Sequence, residues 1–507
     1  MSAGRGAGQL IVAGAALAVA TGLAWSRVEP FRGWYYQLAW YPTLLAVDGA
    51  LARREGKPPL LGQPRFAVSL FLWSIPAWLL FELINFRLAN WYYVLLPDHR
   101  LLRWGGAAAA FATVLPALYL AYLWMERLDL AEGWRRPCFE VRPVHRRLLF
   151  ALGCLFVLLA GWKPDAFFPL LWGSMTLLLE PFNHRWAPER SLLGDLARGS
   201  YTRPVRLLAA GAAVGLVWEL FNSLAGSRWI YTVPGLEDWK LFEMPLPGFL
   251  GFPVFALDCF VFYQSLVRLG VAQPGWHRPT EPLEGALPRP VRRRASPSGR
   301  RRLASPAHRS LAATTAAAAA SLLVLAGIDR WTVDSVRAPL EAVSGVDAAA
   351  GKALKAAGIR RLEQLAEADS AGLVDRVGLE AGAVGEMLEE ARLAALRGIG
   401  ALNASALRRA GIRSVCELAR ADPQEISRAI RRVRADPHAG RSARVRVWLR
   451  AARRSCGKEA HAPGSPARGG AGTRGRRAST RLAPPGCRVG SKDGSSRCTE
   501  RSQETIA

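Results

Sequence analysis

Phe66-Ala67-Val68-Ser69-Leu70-Phe71-Leu72-Trp73-Ser74-Ile75-Pro76-Ala77-Trp78-Leu79-Leu80-Phe81-Glu82-Leu83-Ile84-Asn85 is the stretch on which the reading of this chain turns. It has the length a helix needs to cross the hydrocarbon core of a bilayer, roughly 20 residues. It nevertheless ends on a carboxylate and an amide three positions apart. That spacing is close to one helical turn, so Glu82 and Asn85 share a face. The same Glu-x-x-Asn spacing recurs at Glu180 with Asn183 and at Glu219 with Asn222, each at or inside the end of an apolar segment. An ionised side chain at membrane depth costs about 3 kcal/mol or more, so a chain that carries three of them has a use for them.

The 507 residues are 50% hydrophobic, include 18 Trp and carry a formal net charge of +27, but these averages join two unlike halves. Residues 1–270 hold repeated apolar runs near spanning length, at about 9–25, 33–51, 66–85, 105–125, 147–162, 166–182, 205–224 and 249–269. A weaker Ala-rich run covers 310–328. The two short runs flanking Lys163, Pro164 and Asp165 fit either a pair of spans or a re-entrant hairpin, and both return the chain to the same side. The first run reads as an uncleaved helix, with a cleaved signal peptide as the alternative because Ala18 and Ala20 follow a short apolar core. The expected fold class is all-α: a polytopic bundle of about 7–9 spans, a basic linker at 271–309, a small soluble helical domain at 335–454 and a disordered basic tail at 455–507.

Lys and Arg collect in alternate loops. Arg53, Arg54, Lys57 and Arg65 form one such group, Arg127, Arg135, Arg136, Arg142, Arg146 and Arg147 a second, and Arg185, Arg190, Arg198 and Arg203 a third, followed by the run Arg292–Arg294. The positive-inside rule puts these loops in the cytoplasm, which makes the protein a multi-pass component of a bacterial inner membrane. The intervening loops are poorer in charge and rich in aromatics, as at Trp91, Tyr92 and Tyr93 or Trp229 and Tyr231, consistent with the opposite interface.

Two of the three Glu-x-x-Asn sites look like copies of one unit. Glu82 and Asn85 precede Trp91, and Glu219 and Asn222 precede Trp229, with Glu-to-Trp separations of 9 and 10. Both lie at the same end of a span running outward, the signature of a parallel duplication. The second copy continues through Glu243-Met244-Pro245 and a Gly- and Pro-rich break into a span holding Asp258. This predicts that Glu243 and Asp258 stand beside Glu82 and Glu219, and all four are the candidate catalytic acids. The expected ligand-binding set adds Asn85, Trp91, Tyr92, Glu180, Asn183, Asn222, Trp229 and Tyr231. Such a cluster suits a hard cation, a proton relay, or a general acid acting on a lipid-borne group, and it equally suits the plain task of fastening helices together. Asp48, His99 and His184 read as solvated or capping. No His-rich metal motif, phosphate-binding Gly loop or nucleophile elbow occurs, and the sequence names neither a cofactor nor an oligomeric state. The seven Cys are scattered without a C-x-x-C, so no disulfide framework is indicated.

Beyond Trp331 the chain repeats at a fixed offset of 53: Gly345, Leu354, Gly358, Ile359, Leu365, Ala366 and Asp369 match Gly398, Leu407, Gly411, Ile412, Leu418, Ala419 and Asp422. Leu393-x-x-Leu396-Arg397-Gly398-Ile399-Gly400 resembles the helix-hairpin-helix family, as does Leu340-x-x-Val343-Ser344-Gly345-Val346. That resemblance implies a DNA phosphate held at Gly398, Ile399 and Gly400 with help from Arg408 and Arg409, or a protein partner in place of DNA. Asp347 stands where the first unit would need its second Gly. The apolar half resembles an uncharacterised bacterial multi-pass family with Glu-x-x-Asn, Trp-x-Tyr and Phe-Glu-Met-Pro signatures, from which no activity follows. A broader similarity to integral-membrane carotenoid cyclases and hydratases implies carboxylate acid chemistry, although their Pro-x-Glu-Glu pattern is absent. The expectation is therefore an integral membrane protein that binds or processes a lipid-soluble or ionic ligand; the alternative is a membrane-anchored interaction protein working through its C-terminal domain.

Overall fold

Proline at the first turn opens two of the long apolar helices, where its missing N–H costs nothing, and left-handed residues close others. In a computed structural model that describes residues 2–233, 239–276, 306–434 and 440–459, these signals bound a helical bundle: α1 (Ser2–Trp25), α2 (Tyr35–Glu55), α3 (Pro64–Leu88), α4 (Arg100–Phe111) and α5 (Val114–Arg127), then α6 (Pro143–Trp162), α7 (Pro164–Phe167), α8 (Ser174–Trp186), α9 (Leu192–Ala197), α10 (Thr202–Leu224), α11 (Gly251–Arg268) and α12 (Pro306–Trp331). Most of the expected linker and tail, 277–305 and 460–507, lies outside the described residues.

Seven helical stretches are long and apolar enough to cross a membrane, and they include the Ala-rich Ser310–Trp331. Two of the expected spans are not among them. Residues 33–51 fold as α2, whose polar content removes it from that class, and 166–182 is broken. There α7 and a 3-10 turn at Phe168–Leu171 end in Gly173, whose φ of 90° starts α8 on a new axis, and α8 packs back along α6. The close fit shows at Gly153 of α6, where an added Cβ would come within 3.0 Å of Leu177 and Leu178.

The expectation of an all-helical chain needs one amendment. Strands β1 (Trp91–Val94) and β2 (Arg228–Tyr231) leave the C-terminal ends of α3 and α10 and pair antiparallel, and β3 (Lys240–Leu241) pairs with β4 (Met244–Pro245). Trp-x-Tyr is the period-2 pattern of a strand, and here it puts indole and phenol on one face of each. Beneath this hairpin lies an aromatic core in which Trp78 meets Trp218 at 5.2 Å, Phe81 meets Trp172 at 5.6 Å and Phe255 at 5.0 Å. Each such pair contributes about 0.5–1.5 kcal/mol beyond the area it buries.

The C-terminal part has its own core around Leu354, Leu365, Leu388, Ile399, Leu407, Leu418, Ile430 and Trp448. Its duplication is structural as well as sequential: α13 (Ala348–Ala356), α14 (Leu362–Ala366) and α15 (Ser370–Val377) correspond at the same offset to α17 (Gly400–Arg409), α18 (Val415–Arg420) and α19 (Pro423–Val433). α16 (Ala381–Ala395) joins the units and α20 (Ser442–Glu459) closes the second. The matched Asp369 and Asp422 both cap their helices, accepting from Gly372 and from Gln424 and Glu425. The absence of an expected disulfide is corrected here, because Cys416 of α18 and Cys456 of α20 are bonded. Forty residues separate them in sequence, and only the packing of α18 on α20 brings their Cα atoms to 5.2 Å.

Candidate functional site

The two Glu-x-x-Asn helix ends are assembled by the same set of bonds. The Asn85 amide donates to the Trp91 carbonyl at 3.0 Å and accepts from the Asn90 N–H at 2.9 Å. The Asn222 amide likewise donates to the Trp229 carbonyl and accepts from the Trp229 N–H, both at 3.0 Å. Each amide thus turns its helix into its strand. Trp91 pairs with Tyr231 and Tyr93 with Trp229, a register that maps onto itself when Trp91 is exchanged for Trp229 and Tyr93 for Tyr231. A local two-fold through the Tyr92–Ile230 pair therefore relates the copies, as a parallel repeat requires.

The carboxylates differ. Oε1 of Glu82 accepts from the Tyr93 hydroxyl at 2.5 Å and from the indoles of Trp78 and Trp91, both at 2.9 Å. Oε1 of Glu219 accepts from the Tyr231 hydroxyl at 3.0 Å, and the Trp229 indole faces the acid outside good bonding geometry. One of the two missing donors has a sequence cause: four residues before Glu82 stands Trp78, but four before Glu219 stands Gly215, whose space is filled by the ring of Phe252. Both acids are fully buried, and each leaves Oε2 without a partner. On α2 and β2 three more buried polar atoms lack partners: the indole N–H groups of Trp40 and Trp229 and the Gln37 carbonyl oxygen. Buried polar atoms are nearly always satisfied, so a concentration of orphans marks a place where something else binds. Burial, and next the facing acid, raise the Tyr93 and Tyr231 phenols well above their ordinary values, which keeps both hydroxyls as donors.

Beside these groups lies a hollow of about 80 Å³, walled by Tyr36, Gln37, Trp78, Tyr93, Trp104, Trp218 and Trp229, with Arg103 and Asp329 at its rim. Arg103 pairs with Asp329 at 2.6 Å, and the Trp104 indole donates to the same carboxylate at 2.9 Å. A second hollow of about 360 Å³ is apolar apart from Thr43 and is bounded by Leu10, Trp40, Val47, Leu120, Trp124 and Val214. Trp40 forms part of its wall, and Tyr36, one turn before Trp40, lines the first.

Several expected site residues lie elsewhere. Glu180 accepts from the Leu193 amide at 2.6 Å and Asn183 donates to the Val261 carbonyl at 3.0 Å, so this third pair ties α8 to α9 and α11. Asp258 was expected beside Glu82 and Glu219, but it accepts from the Gly173 and Thr176 amides and the Thr176 hydroxyl, pinning the start of α8. A carboxylate on a rigid helix is drawn to the unpaired amides of the nearest helix start. Glu243 was expected in the same hollow and instead forms ion pairs with Arg397 of the C-terminal part and, at 3.9 Å, with Arg228. Tyr92 points away from Glu82 because strand neighbours alternate, and its ring lies 4.7 Å beneath the Arg444 guanidinium. The residue that reaches the acid is Tyr93, together with Trp78, and the period-2 alignment of Trp91-x-Tyr93 on Trp229-x-Tyr231 was the signal for it. Asp48 is buried, and it caps the Leu60 and Leu61 amides. His184 is half-buried against the Ser191 hydroxyl.

The C-terminal part is stitched to the same end. After α12 the segment Thr332–Arg337 runs parallel to β1, with Asp334 donating its N–H to the Tyr93 carbonyl at 2.8 Å and Arg337 donating to Leu96. The buried Asp334 carboxylate receives Arg444 at 2.6 Å and the Asn403 amide at 2.7 Å. Gly398, at φ 81°, sits where a Cβ would come within 2.5 Å of the Tyr92 hydroxyl, and Gly400 sits against Ser335. Ile399 between them is fully buried. Arg408 is paired with Glu386 and Glu390, and Arg409 is exposed.

Fold and site define a helical bundle of spanning-length helices with an internally duplicated carboxylate–aromatic end, capped by a duplicated helical domain. Within it residues 344–455 match the family described as Domain of unknown function (DUF4332). No curated protein and no solved structure shows a significant match to the chain. Among the described residues no group of three or more His, Cys, Asp and Glu side chains is arranged to hold a metal ion.

Proposed function

We propose that this is an integral membrane protein that binds a lipid-soluble ligand carrying a polar group, taken up at the Glu219 copy of the duplicated site. The observation that carries this reading is the set of unpartnered buried polar atoms on Trp229 and Gln37, which line the first hollow, and on Trp40, which lines the second, with the unpartnered Oε2 of Glu219 in the same copy as Trp229. A ligand with a hydroxyl or amide in the first hollow satisfies both kinds of orphan on its wall: its donor goes to the Gln37 carbonyl oxygen, and its acceptor receives the Trp229 indole N–H. Its apolar remainder finds walls of Trp, Tyr and Leu. The Glu82 copy, saturated at Oε1, serves as the rigid counterpart that holds the other in place.

Membrane insertion is supported by the large apolar side chains left exposed along α1, α6 and α12, such as Ile11, Leu148, Leu158 and Leu323, a belt that water would penalise and lipid favours. By the distribution of Arg, the end bearing β1, β2 and the C-terminal part faces away from the cytoplasm. The Cys416–Cys456 bond favours the same side, because disulfides persist in oxidising compartments. Reporter fusions after Glu459 and after Arg127 test this, with phosphatase activity expected only from the first. The alternative reading, DNA held by Gly398–Ile399–Gly400, is disfavoured because that turn is turned toward Tyr92 and Ser335.

The ligand reading is tested by mass spectrometry of organic extracts from the purified protein. A bound small molecule is expected in the wild type and is expected to be lost from Glu219→Gln and Trp229→Phe while both variants still fold with a cooperative melt. Equal extract content in all three proteins refutes it.

A further inference from the structure

Between β2 and the C-terminal part lies a third cavity, of about 240 Å³. Its wall carries Arg32, Arg228, Arg337, Arg360, Arg361 and Arg397, against Glu29 and Glu363. Three carboxylates offset part of this charge. Glu29 pairs with Arg337 at 2.6 Å and with Arg361 at 3.9 Å, Glu243 stands behind Arg228 and Arg397, and Glu363 lies on the wall itself. Six guanidinium groups against three acids leave an excess of +3 (6 − 3) around a partly enclosed space. Arg32, half-buried, and Arg360, exposed, have no carboxylate within ion-pairing distance among the described residues. Burial, and next the neighbouring Arg32, push the Arg228 guanidinium down to about 10. Like charges held this close in a sheltered place favour an anion between them.

We infer that this cavity is a binding site for a phosphate group, held by Arg32, Arg228 and Arg360. Guanidinium forks match phosphate oxygens two at a time, which an ammonium does not. The site is independent of the uncharged ligand proposed for the Glu219 hollow, although Arg228 and its neighbour Ser227 also line that hollow. The phosphate therefore comes either free from solution or as the headgroup of an anionic lipid whose chains lie along the bundle.

The test uses the full-length protein and two arms. In detergent, inorganic phosphate is titrated against chloride at matched ionic strength and the melting midpoint is followed. In nanodiscs of phosphatidylglycerol or of phosphatidylcholine, the lipid retained through a delipidating wash is counted by native mass spectrometry. Free phosphate as the ligand raises the midpoint in the first arm; a headgroup gives selective retention of phosphatidylglycerol in the second. Arg32→Gln with Arg360→Gln, which orphans no acid, is expected to weaken whichever response is found by about tenfold, the loss of one to two charge-assisted bonds. If the double variant does not fold, Arg360→Gln alone on its exposed side chain gives the same readout with a smaller loss. No response in either arm, or an undiminished response in the folded variant, overturns the inference. Neither outcome touches the organic-extract measurement on Glu219 and Trp229, so the two proposals fail separately.

Discussion

The Glu82 and Glu219 ends of the duplication share a helix, an Asn that turns the chain, a strand and a Tyr that reaches back to the acid, yet only the first is saturated at Oε1. Three donors converge on Glu82, and that end behaves as a structural knot. At Glu219 one donor arrives, the Trp229 indole finds no acceptor, and Gly215 replaces the Trp that would have supplied another N–H. Duplication thus yields two environments from one motif, because two donors present at Glu82 are lost at Glu219: Gly215 replaces the upstream Trp, and the Trp229 indole does not bond the acid as Trp91 does. An acid at the end of an apolar helix is therefore judged by the donors around it and not by its burial, which is the same in both copies.

The comparison breaks most decisively at Glu82. Glu82→Ala strands the Tyr93 hydroxyl and two indole N–H groups, each at about 1–3 kcal/mol, so a loss of about 3 kcal/mol or more is expected in denaturant or thermal unfolding. A stable Glu82→Ala protein would show that the knot is not one. Next come the matched substitutions Asn85→Ala and Asn222→Ala. Each removes the side-chain bonds that turn a helix into its strand, and both are expected to cost about 2 kcal/mol, equal within error. Unequal losses would mean that the local two-fold does not extend to energetics.

Smaller still is Glu219→Gln, which keeps an acceptor for the Tyr231 hydroxyl and is expected to shift stability by under about 1 kcal/mol. Against Glu82→Gln, with three donors to hold, it isolates the contrast between the copies. The smallest effect is expected from Trp229→Phe when both proteins are stripped of bound ligand, within about 0.5 kcal/mol of wild type because the lost N–H has no partner within the protein to miss. If Trp229→Phe destabilises strongly, its indole is bonded to something that the protein retains, and chromatography in organic solvent would identify it.

Much of this was legible in the chain. Apolar runs of spanning length marked most of the long helices, and the repeat at 53 residues marked the duplicated C-terminal part, in which the structure shows the matched Asp369 and Asp422 to be helix caps. The pairing of Glu82 with Glu219 as copies was also legible, because a motif repeated with near-constant spacing folds to one local geometry. Three assignments failed for identifiable reasons. Tyr92 was favoured over Tyr93 because the strand period was not applied, and the ring belongs to the opposite face. Asp258 follows the second copy in sequence, but its hydrogen bonds go to the amides at the start of α8. Glu243 was grouped by sequence continuity, and its charge is met by Arg397, more than a hundred residues later.

The sequence by itself determined what depends on local periodicity and solvent preference: which segments are apolar helices, where they turn, and that two of their ends and two later units are repeats. Only the tertiary structure decided which polar atoms are satisfied, that Cys416 meets Cys456, and that Tyr92, Asp334 and Glu243 join the C-terminal part to the bundle. Hydrogen bonds and ion pairs of this kind act over a few ångströms between residues far apart in the chain. Their formation follows from how helices pack, and no spacing in the sequence records that.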